Sequence, residues 1–251
     1  MKQVRSLAFF VALPVWTALC CFVLGIATFL PRKDVLKVAL WWIRSVGWIE
    51  RNLLGLDYVV LGRENLPPGP VIVAAKHQSA FETMKIHMIL DDPAIVLKKE
   101  LLRIPIWGRF LIKTGMIPID RGAGRQAVSA MLTAAEKAKA ERRPIVIFPQ
   151  GTRVPPGGTR SYKSGAGILY QALGLPIVPL ALNSGVFWPK RGMKHGGTVT
   201  FSFLPPIAPG LEPDRVLKLL EERLEAETDR LVALAAKPVP RPSTMREASH
   251  S

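Results

Sequence analysis

Leu7 to Leu30 is an unbroken run of 24 residues without a formal charge, held between Lys2 and Arg5 before it and Arg32 and Lys33 after it. A bilayer core of roughly 30 Å needs about 20 apolar residues as helix, so this run predicts a helix that spans or deeply enters a membrane. A cleaved signal peptide is the alternative, with Gly25-Ile26-Ala27 as its small-x-small site. The run is longer than the roughly 7 to 15 apolar residues of an ordinary signal core, which argues against that alternative. Basic flanks on both sides leave the orientation open, and Pro14 or Gly25 offers a kink for a re-entrant hairpin. From Asp34 to Leu54 the pattern changes. Lys37, Arg44 and Arg51 recur every seven residues on one stripe, while Leu40, Trp41, Ile43, Trp48 and Leu54 supply large apolar area. Tryptophan beside basic residues suits the headgroup layer, so the segment predicts an interfacial helix or half of a helical hairpin; a helix packed on the core is the alternative.

Beyond Leu54 short apolar runs alternate with helical stretches. Strands are expected at Tyr58 to Leu61, Val71 to Ala75, Ala94 to Leu97, Met116 to Ile119, Pro144 to Phe148, Ile177 to Leu182 and Val199 to Leu204. Helices are expected after His77, near Glu100 to Lys113 with an interruption at Pro105, from Arg125 to Ala140 and from Gly165 to Leu173. This alternation argues an α/β sheet with helices on its faces. Glu212 to Ala236 carries Val216, Leu220, Leu224 and Leu231 on one side and predicts an amphipathic lid. The chain thus divides into a membrane-associated element (1–54), a catalytic domain (55–236) and a Pro-rich, polar tail (237–251) that predicts disorder.

Composition narrows the partners. A formal charge of +15 and a pI near 10.3 call for an anion, either nucleic acid or an anionic lipid surface. No zinc finger, RNA-recognition motif or basic arm is present in the sequence, so the membrane is preferred and nucleic acid is not. Cys20 and Cys21 are the only cysteines and both lie in the first apolar run. The globular part therefore has no disulfide framework, cysteine metal site or cysteine nucleophile, and no metal is expected.

The chemistry starts at the end of the Val71 to Ala75 strand, where Lys76 and His77 follow, since sites in open α/β sheets lie at the carboxyl ends of strands. His77 and Glu82 are five apart, about 140° around a regular helix, so they can meet only if the backbone changes course between them. Ser79-x-x-Glu82 supplies that change as a capping-box signature. Glu82 can then hold one imidazole nitrogen and leave the other free to take a proton. The bland alternative is that Glu82 only completes the cap and His77 fills a strand end. Ser79 lacks the Gly-x-Ser-x-Gly elbow and fits a cap better than a nucleophile; His87 lies within the following helix and reads as structural. Arg121 and Arg153 also stand at carboxyl ends of predicted strands, and a guanidinium matches phosphate oxygens bidentately. Their alternative is structural, an Asp120–Arg121 ion pair and a loop brace at Arg153.

Four stretches in order carry a resemblance: His77 to Glu82, Gly115-Met116-Ile117-Pro118-Ile119-Asp120-Arg121, Phe148-Pro149-Gln150-Gly151-Thr152-Arg153 and Leu175-Pro176-Ile177-Val178-Pro179-Leu180-Ala181. Together, from about Gly62 to about Pro206, they resemble the motif blocks of the glycerolipid acyltransferases, specifically bacterial 1-acylglycerol-3-phosphate (lysophosphatidate) acyltransferases. Two positions depart from that pattern. The usual Asp five residues after the histidine is Glu82, and the usual Glu of the third block is Gln150, which keeps the hydrogen-bonding shape but loses the charge. That favours a ligand-orienting or structural role for Gln150 over an ionic one.

The resemblance implies a mixed sheet flanked by helices. It implies acyl transfer from acyl-coenzyme A or an acyl carrier protein to the sn-2 hydroxyl of lysophosphatidate, giving phosphatidate without a cofactor, with His77 as general base oriented by Glu82. Arg121 with Gly115, and Arg153 with Gly151 and Thr152, would bind the glycerol phosphate; Lys163 is a further candidate for the same anion, and Gln150 lies in the same block. The substrate implies attachment to the inner membrane with the catalytic domain facing the cytoplasm. Another lyso-lipid acceptor, or a catalytically weak lipid-binding protein, is the alternative. Chain-length preference, donor type and oligomeric state are not legible in the residues.

Overall fold

A computed structural model describes residues 2–236; the expected disorder of 237–251 lies outside the described residues. Seven strands, β1 (Leu56–Leu61), β2 (Ile72–Ala75), β3 (Ala94–Lys98), β4 (Ile117–Ile119), β5 (Ile145–Ile147), β6 (Ile177–Leu182) and β7 (Gly197–Phe203), form one sheet in the order β1-β7-β6-β2-β5-β3-β4. β2 pairs in parallel with both β5 and β6, β3 with both β5 and β4, whereas β7 runs antiparallel to β6 and carries β1 parallel to itself. The sheet is therefore mixed, and β2, with all four residues buried, lies at its centre.

The helices are α1 (Lys2–Ala27), α2 (Arg32–Ile49), α3 (Phe81–Ile89), α4 (Trp107–Lys113), α5 (Gly124–Ala140), α6 (Gly165–Leu173), the single turn α7 (Ser184–Phe187) and α8 (Pro213–Ala236). Alternation along β2 sorts them into layers. Val71, Val73 and Ala75 face a cluster with Phe9 of α1, Ile49 of α2, and Phe81 and Ile86 of α3. Ile72 and Ala74 face Met131 of α5, Leu169 and Tyr170 of α6, and Val216, Leu220, Leu224 and Leu231 of α8. The apolar side expected of the last helix is the side it buries.

The details of three elements have local reasons, among them the expected break at Pro105. The second amphipathic segment is α2 followed by a π-helical turn at Glu50–Leu54, closed by Gly55 in the left-handed conformation (φ 69°). The stretch from Glu100 splits into a 3-10 turn (Lys99–Arg103) and α4, because Pro105 cannot continue a helix. The turn α7 had no periodicity by which to be seen.

α1 has two unlike faces. Phe9, Cys20, Leu24 and Ala27 are buried, and Trp16 donates its indole N–H to Ser45 Oγ of α2 (2.7 Å). Leu7, Val11, Val15, Leu19, Phe22 and Ile26 form an exposed apolar stripe along its length, continued by Phe29 in the turn that follows. Gln3–Ala27 is long and apolar enough to cross a membrane. Lys37 and Arg44 of α2, and Arg51 of the π-helical turn that follows, are exposed together with Trp41 and Trp48.

Candidate functional site

β2 ends at Ala75, and the chain then leaves the sheet before re-entering helix at Phe81. Ser79 Oγ accepts the Phe81 N–H (2.8 Å), and Glu82 Oε1 accepts the N–H groups of Gln78 (2.8 Å) and Ser79 (2.7 Å). Only half of the expected capping box forms: Glu82 reaches back to the Ser79 N–H, but Ser79 Oγ takes the Phe81 N–H rather than that of Glu82, and Ala80 is the N-cap of α3. The same Oε1 accepts from His77 Nδ1 at 2.8 Å, and Ser184 Oγ donates to Oε2 at 2.7 Å. An ionised carboxylate only accepts, so His77 Nδ1 carries the proton and Nε2 is the basic nitrogen. Burial pushes the Glu82 carboxyl up, but hydrogen bonds from His77, Ser184 and Ser79 outweigh it and hold the group below the ordinary carboxylate range. The His77 ring is stacked on Phe148 (centroids 4.3 Å apart), and its carbonyl accepts the Val154 N–H (2.8 Å). Its orientation is thus fixed from three sides.

His77 lines a cavity of about 1130 Å³. Arg121, Arg153, Arg160, Lys163 and Lys190 also line it, so this part of the cavity is strongly electropositive. A second region is mostly apolar, with Leu40 and Ile43 of α2, Met84 of α3, Trp107 and Phe110 of α4, and Met116, although Asp91 and Asp92 also reach the cavity. Trp42 and Trp107 meet edge to face (centroids 5.0 Å apart), which ties α4 to the N-terminal hairpin around this apolar arm.

Most of the sequence-predicted residues converge. Arg121 follows β4, and Gly151, Thr152 and Arg153 follow β5, all at the edge where His77 stands. Gly151 has φ 66°, and a Cβ there would come within 3.2 Å of the Arg121 guanidinium, so only glycine lets that side chain lie over the loop. Asp120 pairs with Lys99 (3.4 Å) and accepts the Gly122 N–H (3.1 Å); among the described residues no ion pair joins it to Arg121. Lys163 reaches the cavity from the loop before α6.

Two predicted residues do not join this group. Gly115 precedes β4, one strand length from Arg121, where its carbonyl accepts from Arg143 Nη1 (3.2 Å); it lies at the opposite end of the sheet from His77. Gln150 is buried and turned away from the cavity, with Nε2 3.4 Å from Glu225 Oε1 of α8. His87, read as structural, lines the apolar arm, and burial pushes its pKa down to about 4. Sequence reasoning missed Ser184, for which the only signal was a polar Asn183-Ser184 pair directly after the wholly buried β6. It also missed Glu225, which looked like one more solvated charge on α8.

The acyltransferase family model matches residues 57–183. The chain is 32% identical over 238 residues to the 1-acyl-sn-glycerol-3-phosphate acyltransferase of Pseudomonas aeruginosa, spanning 93% of this chain and 92% of that one. It is 30% identical over 212 residues to the enzyme of the same name from Saccharomyces cerevisiae, spanning 81% of this chain and 70% of that one. The crystal structure of the 1-acyl-sn-glycerophosphate acyltransferase of Thermotoga maritima superposes with a TM-score of 0.74 at 24% identity, over 95% of this chain and all of that one, and so shares the fold.

Proposed function

From the premise that the chain belongs to the acyltransferase family, with 1-acyl-sn-glycerol-3-phosphate acyltransferases among its relatives, we propose that it transfers a fatty acyl group to the sn-2 hydroxyl of lysophosphatidate. The observation that carries the reading is the Glu82-held His77 at a cavity with one arginine-rich region and one apolar arm. His77 Nε2 takes the hydroxyl proton, the oxygen adds to the thioester carbonyl, and collapse expels the thiolate, which recovers the proton from the imidazolium. Glu82 stabilises that imidazolium and fixes the tautomer; general-base catalysis of this kind contributes roughly 10²- to 10⁴-fold. The thiol is a good leaving group, so no acyl-enzyme is needed.

Arg121, Arg153 and Lys163 hold the glycerol phosphate, with Gly151 and Thr152 shaping the loop beneath it. The donor is acyl-coenzyme A or an acyl carrier protein, and no cofactor enters the scheme. The apolar arm receives an acyl chain. The exposed stripe of α1 and the Trp-and-basic stripe of α2 keep the site at a bilayer surface, where the acceptor resides; in a bacterium that surface is the inner membrane, with the catalytic domain in the cytoplasm.

The test is transfer of a labelled acyl group from acyl-coenzyme A to lysophosphatidate by the purified protein in detergent, beside His77→Ala. Phosphatidate formed by the wild type and lost by a folded His77→Ala is the expected result. No product with either donor type, across a panel of lyso-lipid acceptors, would leave lipid binding as the activity.

A further inference from the structure

Glu225 projects from the middle of α8 into the back of the site. Its carboxylate pairs through both oxygens with Lys76, whose side chain is only 2% exposed. Tyr162 donates its hydroxyl to Glu225 Oε1 (2.9 Å), and Gln150 Nε2 lies 3.4 Å from the same oxygen. These three partners come from three separate segments, and each is the immediate chain neighbour of a cavity residue: Lys76 precedes His77, Gln150 precedes Gly151, and Tyr162 precedes Lys163. Neighbouring residues share a peptide bond, so what grips one residue from behind constrains where the next one stands in front.

We propose that Glu225 is a positioning residue, an ionic staple behind the sheet edge that fixes the spacing between the base His77 and the phosphate-holding loops at Gly151–Arg153 and Lys163. The inference rests on the acceptor reading given above. α8 makes a firm anchor because Leu220, Leu224 and Leu231, on either side of Glu225, are buried against the sheet. Lys76 makes the grip obligatory, since a buried ammonium without its counter-ion is strongly disfavoured and its loop would have to move. The charge at Glu225 also accounts for the neutral residue at position 150. A glutamate there would bring a second carboxylate against the first, with one lysine to serve both; Gln150 gives the cluster one positive and one negative charge.

Spacing errors of about 1 Å between reacting groups cost roughly 10²-fold, so the staple is visible in kinetics. Glu225→Gln should raise the KM for lysophosphatidate roughly 10-fold or more while leaving the KM for the acyl donor within about 2-fold. Moving the charge back across the cluster, in the double variant Gln150→Glu/Glu225→Gln, should restore most of the acceptor KM because Lys76 regains its partner. Tyr162→Phe, which keeps the ion pair, should shift the acceptor KM by about 3-fold in the same direction, and it carries the test if Glu225→Gln does not fold. An unchanged acceptor KM in the folded variants overturns the staple, as does a double variant as impaired as Glu225→Gln. A wild type that makes no phosphatidate overturns the functional reading itself.

Discussion

His77 Nδ1 lies 2.8 Å from Glu82 Oε1 because the backbone leaves the β2 strand, turns at Ser79 and enters α3 at Phe81 between them. The same carboxylate oxygen anchors two backbone N–H groups, so Glu82 holds both the imidazole and the turn that presents it. Glu82→Gln replaces a pure acceptor with an amide whose NH2 cannot stabilise an imidazolium. It should lower kcat by roughly 10²- to 10⁴-fold with a smaller effect on KM. Steady-state rates on protein with wild-type circular dichroism check this; a loss confined to KM would show that Glu82 acts through binding instead.

Arg121 and Arg153 are exposed, line the cavity and are free of carboxylate partners among the described residues. Hydrogen bonds to a charged group contribute about 1.5 to 3 kcal/mol. Arg153→Ala and Arg121→Ala should therefore each reduce kcat/KM for lysophosphatidate by roughly 10- to 150-fold. Replacement by Lys should recover only part, since the bidentate fork is lost. Variants as active as wild type would remove the phosphate role from that residue.

The central strands and the His77–Glu82 approach were legible because each rests on neighbours in sequence: an apolar run, then a Ser-x-x-Glu signature four residues long. What was not legible depends on chain-distant packing. Ser184 reaches Glu82 across 102 positions and Glu225 reaches Lys76 across 149, with no local pattern to announce either. Gly115 belongs to the same motif stretch as Arg121, yet a strand separates them, so one block of sequence spans both ends of the sheet. Gln150 was read as orienting or structural from its lost charge; its burial against Glu225 gives that loss a physical reason.

Phe22 on α1 and Phe29 in the turn just after it are 75% and 78% exposed, on an apolar stripe that has no protein partner among the described residues. Burying a phenylalanine from water is favourable by about 1.5 to 3 kcal/mol. If this stripe enters lipid, Phe22→Ser and Phe29→Ser should each weaken binding to phosphatidylglycerol vesicles about 10-fold or more. Flotation with detergent-free protein reads this directly. Wild-type flotation unchanged in the double variant would show that another surface carries the attachment.

Glu50 and Lys85 form a buried pair (2.5 Å) where the π-helical turn after α2 meets α3, and Lys85 also lies over the Phe81 ring, 5.0 Å from its centroid. Burial pushes the Glu50 carboxyl up to about 7 against the pull of Lys85, and its Oε1 has no hydrogen-bond partner among the described residues. A carboxyl raised on folding stays protonated where the unfolded chain has released its proton, between about 4.5 and about 7. Within that window the unfolded state binds fewer protons, so stability falls as pH rises. The contribution is complete below the unfolded value and lost by the time the pH passes the folded one. Glu50→Gln cannot titrate, so the wild type should lose stability relative to it from pH 5 to pH 7.5, by at most about 3 kcal/mol. Thermal unfolding of both proteins in the same detergent at pH 5, 6 and 7.5 measures the difference. A constant gap would mean that Lys85 keeps Glu50 ionised throughout, and the contact between the π-helical turn and α3 would then be indifferent to pH.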